Sequence, residues 1–221
     1  VAENLESLEA LEAELQSPVR IFIKTDTGAH RTGLSPGQSS LIDRLVERMA
    51  SSRMLFFAGF LSHAGHTYRA RGRKAIRAVH QASLEIMRQL RQRYAGAHPD
   101  LTISIGDTPA CSTMEEYGGI DELRPGNFVF YDLMQLEIGS CRADQIAVAL
   151  ACPVVALHPE REEIVLYGGG VHLSKDRSYL PDGRECYGRV AAWDGDSWTL
   201  PEPSAYLRGL SQEHGIVKAT P

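Results

Sequence analysis

Two histidines three residues apart, His63 and His66, stand just before Tyr68 in the stretch His63-Ala64-Gly65-His66-Thr67-Tyr68. Imidazole and phenol groups so placed can move protons near neutral pH, or simply satisfy the hydrogen bonds of a loop. With a carboxylate such as Asp107 as third ligand they could instead hold a metal ion. A second group lies in Thr25-Asp26-Thr27-Gly28-Ala29-His30-Arg31-Thr32-Gly33. There Arg31 is a permanent cation between glycines that permit close approach of a ligand. Asp26 suits bonding of the turn amides or fixing of Arg31. In a third group, Gly106-Asp107-Thr108-Pro109 and Ser112, freed amides and hydroxyls could cradle an anion, provided that the Asp107 carboxylate points away. Arg124-Pro125-Gly126-Asn127 forms a fourth polar turn, equally readable as an anion contact or as an ordinary β-turn before a strand, with Arg124 in a salt bridge.

Apolar runs precede the first three groups. Strands are expected over Arg20 to Lys24, Met54 to Leu61 and Leu101 to Ile105, with a fourth over Asn127 to Tyr131. Between them run helical patterns. Asn4 to Gln16 repeats leucine at helical spacing, and a helix beginning near Ser35-Pro36 carries Leu41, Ile42, Leu45, Val46 and Met49. About Arg71 to Tyr94, the side bearing Ile76, Val79, His80, Leu84, Met87 and Leu90 opposes a face of Arg and Gln. Strand and helix units of this length imply an α/β fold with parallel strands, and no G-x-G-x-x-G follows the first strand to favour a doubly wound sheet. A (β/α) TIM-type barrel portion collects Asp26, Arg31, His63, His66, Gly106 and Thr108 at the carboxyl ends of its strands. From Ile146 the texture changes to β segments, Ile146 to Leu157, Glu163 to Leu166 and Trp193 to Leu200, so barrel residues 1–142 and a β-rich C-terminal domain 143–221 are expected. Gly168-Gly169-Gly170 lacks the G-K-[ST] ending of a phosphate loop and reads as a tight connection, with His172 or Asp176 as further polar residues.

The 221 residues are 43% hydrophobic, enough for a real core. A net charge of −5 argues against general nucleic-acid binding, and the basic stretch Arg69 to Arg93 reads as a solvated helix face. No run reaches the ~18 to 20 apolar residues of a membrane span, and a cytoplasmic protein is expected. Cys111, Cys141, Cys152 and Cys186 are too scattered for a disulfide framework and are expected as reduced thiols.

The segments Thr25 to Gly33, Gly59 to Tyr68, Gly106 to Pro109 and Leu123 to Asp132 resemble, in order, motifs of the D-threonine aldolase and D-serine dehydratase family. Ser211 to Gly215 is similar to a segment close to that family's metal-binding end. That family belongs to the alanine racemase-like, fold-type III pyridoxal-phosphate enzymes. The resemblance implies a barrel holding pyridoxal 5'-phosphate, a β-rich C-terminal domain, a D-amino acid substrate and a homodimer. It implies cofactor contacts for Arg31, His63, Gly106, Thr108, Arg124, Gly126 and Asn127, with His63 and Tyr68 as the catalytic pair. It also places the family's Schiff-base lysine ahead of Val1, so Lys24 is not assigned that role. The ligands of a divalent metal (Zn, Mn or Mg) are expected beyond Pro221. The activity implied is a lyase on D-3-hydroxy amino acids. Two other readings stay open: a metal-dependent barrel hydrolase using His63 and His66, and a non-catalytic cofactor-binding domain.

Overall fold

The computed structural model describes residues 1–200 and 205–219. The chain divides into two compact units: residues 1–129 with 138–140, and residues 130–137 with 141–221.

In the first unit helix α1, Leu5–Glu14, starts where the Asn4 side chain accepts a hydrogen bond from Ser7 N, satisfying an amide the helix leaves orphaned. Strand β1, Val19–Thr25, leads to helix α2, Ser39–Ala50, and then to β2, Leu55–Ser62. Helix α3, Gly72–Tyr94, precedes β3, Thr102–Ile105, the short helix α4, Thr108–Thr113, and β4, Glu122–Leu123. The four strands form one sheet in the order β1-β2-β3-β4, with every pair parallel. Sequential parallel order is that of a barrel wall, whereas a doubly wound sheet reverses its order at a switch point.

The register explains the core. Ile23 faces Phe60 and Phe60 faces Ile103, so their side chains share one face of the sheet, and all three are fully buried. Against that face α2 places Ile42, Leu45, Val46 and Met49, and α3 places Leu84, Met87 and Leu90. Each such side chain contributes about 1.5–3 kcal/mol on burial. The outer side of α3 carries exposed arginines, among them Arg73, which pairs with Glu115, and Arg93, which pairs with Asp43. Gly59 has φ +137, and a Cβ there would lie 1.9 Å from the Thr102 carbonyl oxygen, so the close approach of β2 to β3 requires glycine.

Two expected elements differ. Helix α2 begins at Ser39, because Ser35 to Gln38 closes a turn in which Gln38 Oε1 accepts from Ser35 N at 2.9 Å. The fourth strand is Glu122–Leu123, and Asn127–Val129 is a 3-10 turn. Pro125 has no amide hydrogen to continue the ladder that Glu122 and Leu123 form against Ser104 and Ile105.

The second unit contains β5, Val154–His158, and β6, Glu163–Tyr167. Four short strands follow, β7, Ser178–Tyr179, β8, Glu185–Cys186, β9, Gly188–Arg189, and β10, Ala192–Asp194. The last three are β11, Ser197–Thr199, β12, Ala205–Leu210, and β13, His214–Ala219. An antiparallel sheet runs β5-β6-β13-β12-β9, with β7–β8 and β10–β11 as separate pairs. The expected strand from Ile146 to Leu157 is thus confined to its end, beginning after Pro153. Gly169 packs so closely on the turn before β13 that a Cβ would lie 2.5 Å from His214 N, and Gly170 N donates to Ser211 O. Packing therefore accounts for this glycine run. The cysteines are free thiols, and among the described residues no helix is long and apolar enough to cross a membrane.

Candidate functional site

All four polar turns leave the sheet at the same edge. Thr25 ends β1, Ser62 ends β2, Ile105 ends β3 and Leu123 ends β4, and the register aligns these residues as neighbours. Parallel strands of matched length deliver their following loops to one rim, where side chains from distant parts of the chain meet.

After β1, Asp26 Oδ1 accepts from the amides of Gly28, Ala29 and His30 at 2.9, 2.9 and 3.1 Å, and Oδ2 lies 3.0 Å from His30 Nδ1. Burial opposes the carboxylate, but the amides and the His30 ring outweigh it and hold its pKa below the ordinary aspartate value. Asp26 thus shapes its own turn and faces His30, not Arg31. Arg31 is exposed at the rim. Gly28 has φ +122 and lies over the His66 ring, where a Cβ would come 3.2 Å from Nε2. Thr27 Oγ1 and Ser62 Oγ are 3.0 Å apart and tie the first turn to the second strand.

After β2, His63 Nδ1 lies 2.6 Å from the Gly106 carbonyl oxygen. A carbonyl only accepts, so Nδ1 carries the hydrogen and Nε2 keeps a free lone pair. Burial, the largest influence, holds the His63 pKa below that of an ordinary histidine. The Gly106 contact opposes this, and the charge of Arg31 adds to the lowering. His63 is therefore neutral near pH 7. His66 and Tyr68 follow on a 3-10 turn, Gly65–Arg69. The buried His66 Nδ1 has no hydrogen-bond partner. Burial, the largest influence, also lowers the His66 pKa. The Tyr68 and His63 rings are 6.1 Å apart, and Tyr68 Oη accepts from Thr108 N at 3.4 Å.

After β3, Asp107 turns inward. It is 3% exposed, caps α4 by accepting from Ala110 N, and meets Thr67 Oγ1 at 2.8 Å. Gly106 is explained by packing, because a Cβ would lie 2.2 Å from the Arg124 carbonyl oxygen. Thr108 Oγ1 accepts from Gly126 N at 3.2 Å and joins the third turn to the fourth. Asn127 follows on the 3-10 turn. Arg124 reaches back along the wall. Its Nε donates to Ser104 Oγ at 2.7 Å, its Nη2 to Ser62 O at 2.5 Å, and Glu122 stands 3.5 Å from it. Of the two roles open for Arg124, this geometry supplies the structural one. Sequence reading missed Thr67, Ser62 and Ser104 because isolated hydroxyls carry no spacing signal.

The hydrolase constellation does not assemble. Asp107 Oδ1 is engaged by Thr67 and Ala110, and among the described residues no three His, Cys, Asp or Glu side chains come together as a metal-binding group.

The family model described as "Alanine racemase, N-terminal domain" matches residues 1–133. The chain belongs to that family. A second model, "Putative serine dehydratase domain", matches residues 147–221. A D-serine dehydratase of Dictyostelium discoideum is 35% identical over 173 residues, covering 74% of this chain and 43% of that protein. The D-threo-3-hydroxyaspartate dehydratase of Delftia sp. HT23 is 26% identical over 96% of this chain and 55% of its own length. Its solved structure superposes with a TM-score of 0.84 at 24% identity, covering 99% of this chain and 58% of that one. The D-threonine aldolase of Filomicrobium marinum shares the fold, with a TM-score of 0.72 at 18% identity, covering 100% of this chain and 55% of that one. The chain thus spans about half the length of the curated relatives it matches. The alanine racemase-like fold, a TIM-type barrel followed by a β domain, agrees with the parallel wall and the separate antiparallel sheet.

Proposed function

We propose that this chain supplies the cofactor-binding wall of a pyridoxal 5'-phosphate-dependent lyase acting on D-3-hydroxy amino acids, of D-serine dehydratase or D-threonine aldolase type. The observation that carries the reading is the meeting of the Asp26, His63, Gly106 and Arg124 turns at one rim of four adjacent parallel strands. The names of the relatives, dehydratases acting on D-serine and D-threo-3-hydroxyaspartate, support the substrate class.

The rim fits a ring that carries a phosphate. Thr108 N lies 3.4 Å from Tyr68 Oη and Gly126 N lies 3.2 Å from Thr108 Oγ1, and the two amides and the threonine hydroxyl are donors able to turn to a dianion. The buried, unpartnered Nδ1 of His66 marks a polar position that an incoming group would satisfy. Thr108, Gly126 and the turn at Gly106 and Asn127 would hold the phosphate side, and the exposed cation of Arg31 would face the ring's anionic oxygen. When bound, the cofactor withdraws electron density from the bonds at the substrate's Cα and Cβ.

The chain's own residues do the rest. His63, neutral and fixed by Gly106 O, presents Nε2 as a proton acceptor, while the Tyr68 hydroxyl, accepting from Thr108 N, keeps its hydrogen to donate. Arg124 ties the β2, β3 and β4 ends together and so sets the spacing of the rim. A divalent ion (Zn, Mn or Mg) would assist the reaction by polarising the substrate hydroxyl, and the proposed assembly is a homodimer.

Titration of the full chain with pyridoxal 5'-phosphate, followed by absorbance, tests the site. Saturable binding weakened at least about tenfold by Thr108→Val and by Arg31→Ala is expected; unaltered binding in both variants would end the proposal. Product analysis separates the two chemistries. Pyruvate and ammonia from D-serine mark a dehydratase, and glycine and acetaldehyde from D-threonine mark an aldolase.

A further inference from the structure

Behind the rim, one buried hydroxyl stands between two oxygens. Thr67, fully buried on the 3-10 turn, has Oγ1 2.9 Å from the Ala64 carbonyl oxygen and 2.8 Å from Asp107 Oδ1. A threonine hydroxyl has a single hydrogen. If Asp107 were ionised, both neighbours would be acceptors and one contact would be two facing lone pairs at hydrogen-bond distance. Every contact is satisfied when Thr67 donates to Ala64 O and a second hydrogen, on Asp107 Oδ1, is donated to Thr67 Oγ1, while that Oδ1 still accepts from Ala110 N at 2.8 Å. We propose that Asp107 carries a proton in the folded protein, and that the chain Asp107 to Thr67 to Ala64 is a neutral clasp. It positions the turn bearing His66 and Tyr68 against the helix cap bearing Thr108.

The surroundings agree. Asp107 is buried among groups that offer no cation near pH 7: His63 at the end of β2, His66 on the 3-10 turn and His80 on α3 are each held below ordinary histidine pKa by burial. Cys111 on α4 and Tyr117 beyond it are pushed upward by burial, toward their neutral forms. Desolvation, the largest influence, likewise raises the Asp107 pKa, and the Ala110 amide only partly opposes it. Asp107 is then a positioning residue. Buried behind the rim, it acts through Thr67 on His66 and Tyr68.

The test is a pH titration of the full chain with carboxyl-labelled aspartate, the Asp107 signal being assigned through the Thr108 amide. Its carboxyl carbon is expected to ionise well above the ~3.9 of free aspartate. Ionisation at or below that value would overturn the proposal without recourse to any variant. Asp107→Asn, which carries no charge at any pH, supplies the second readout. As pH rises above ~3.9, the wild type should lose about tenfold per pH unit in its folding equilibrium relative to Asp107→Asn, until Asp107 ionises. A wild type that instead gains on the variant as pH rises would refute a neutral clasp. One consequence rests on the function proposed above: affinity for pyridoxal 5'-phosphate should fall as Asp107 ionises in the wild type and show no such step in Asp107→Asn. Loss of that difference alone, with the aspartate titration as expected, would count against the cofactor reading and leave the clasp standing.

Discussion

The rim of the parallel unit and the surface of the antiparallel unit use the same residue types in different proportions of distant and local bonds. At the rim, polar groups are joined across long stretches of chain, Thr27 to Ser62, His63 to Gly106, Thr67 to Asp107 and Arg124 to Ser62. In the second unit three ion pairs, Arg142–Asp144, Arg161–Glu163 and Arg184–Asp182, join residues two apart with their arginines exposed, beside longer pairs such as Arg208–Glu163 and Lys218–Glu162. A local exposed pair forms because the residues are adjacent in sequence, and solvent screens most of its worth. A buried bond between distant residues exists only because strands bring them together, and losing one partner leaves the other unsatisfied away from water. Polar residues that matter for a site are therefore identified by the distance their bonds span, more than by their type.

The largest test of that contrast is aimed at the packing beneath the rim. Phe60→Ala should cost about 3–5 kcal/mol in denaturant unfolding, since Phe60 is fully buried in the cluster against α3. Gly106→Ala should follow at about 1–3 kcal/mol, because the new Cβ would meet the Arg124 carbonyl. Gly169→Ala is equally crowded, against the turn at Gln212 to His214. Hydrogen exchange should show faster exchange at residues 211–215 in that variant, with the amides of Thr108 and Gly126 unchanged. Rim amides that loosened as well would erase the distinction between the two regions.

A smaller effect is expected from acid. The pKa values of His63, His66 and His80 are lowered by burial, so below the ~6.5 of an unfolded histidine the unfolded chain takes up protons that the folded chain does not. Stability should then fall as pH drops through about 6.5, which thermal unfolding across that range measures, and His80→Gln should flatten the slope. The smallest expected effect is in the second unit, where Glu185→Gln, breaking the exposed pair with Arg177, should leave the melting temperature unchanged within error. A clear loss there would mean that local pairs carry more than the comparison allows.

Much of this was legible before any coordinates. The alternation of apolar runs and helical spacing gives the strand order, because parallel neighbours need a helix between them, and the glycine-marked turns after Lys24, Leu61 and Ile105 lie at the carboxyl ends as their positions imply. Asn127 to Tyr131 misled because Phe128 and Phe130 are apolar yet exposed, whereas the true fourth strand is only Glu122–Leu123. Two residues carry no periodicity, and a strand that short is selected by its neighbour β3 rather than by its own composition.

By itself the sequence determined which chemical groups stand at the ends of the strands, since strand and turn propensities act over a few residues. Only the tertiary structure decided what each group meets: Asp26 turned on its own loop, Arg124 drawn into the wall, His63 fixed in one tautomer and Asp107 clasped to Thr67. Apart from the Asp26 turn, which is local, those outcomes depend on burial and on bonds between residues 20 to 43 apart, and a hydrogen-bond partner at that separation is set by the register of the sheet.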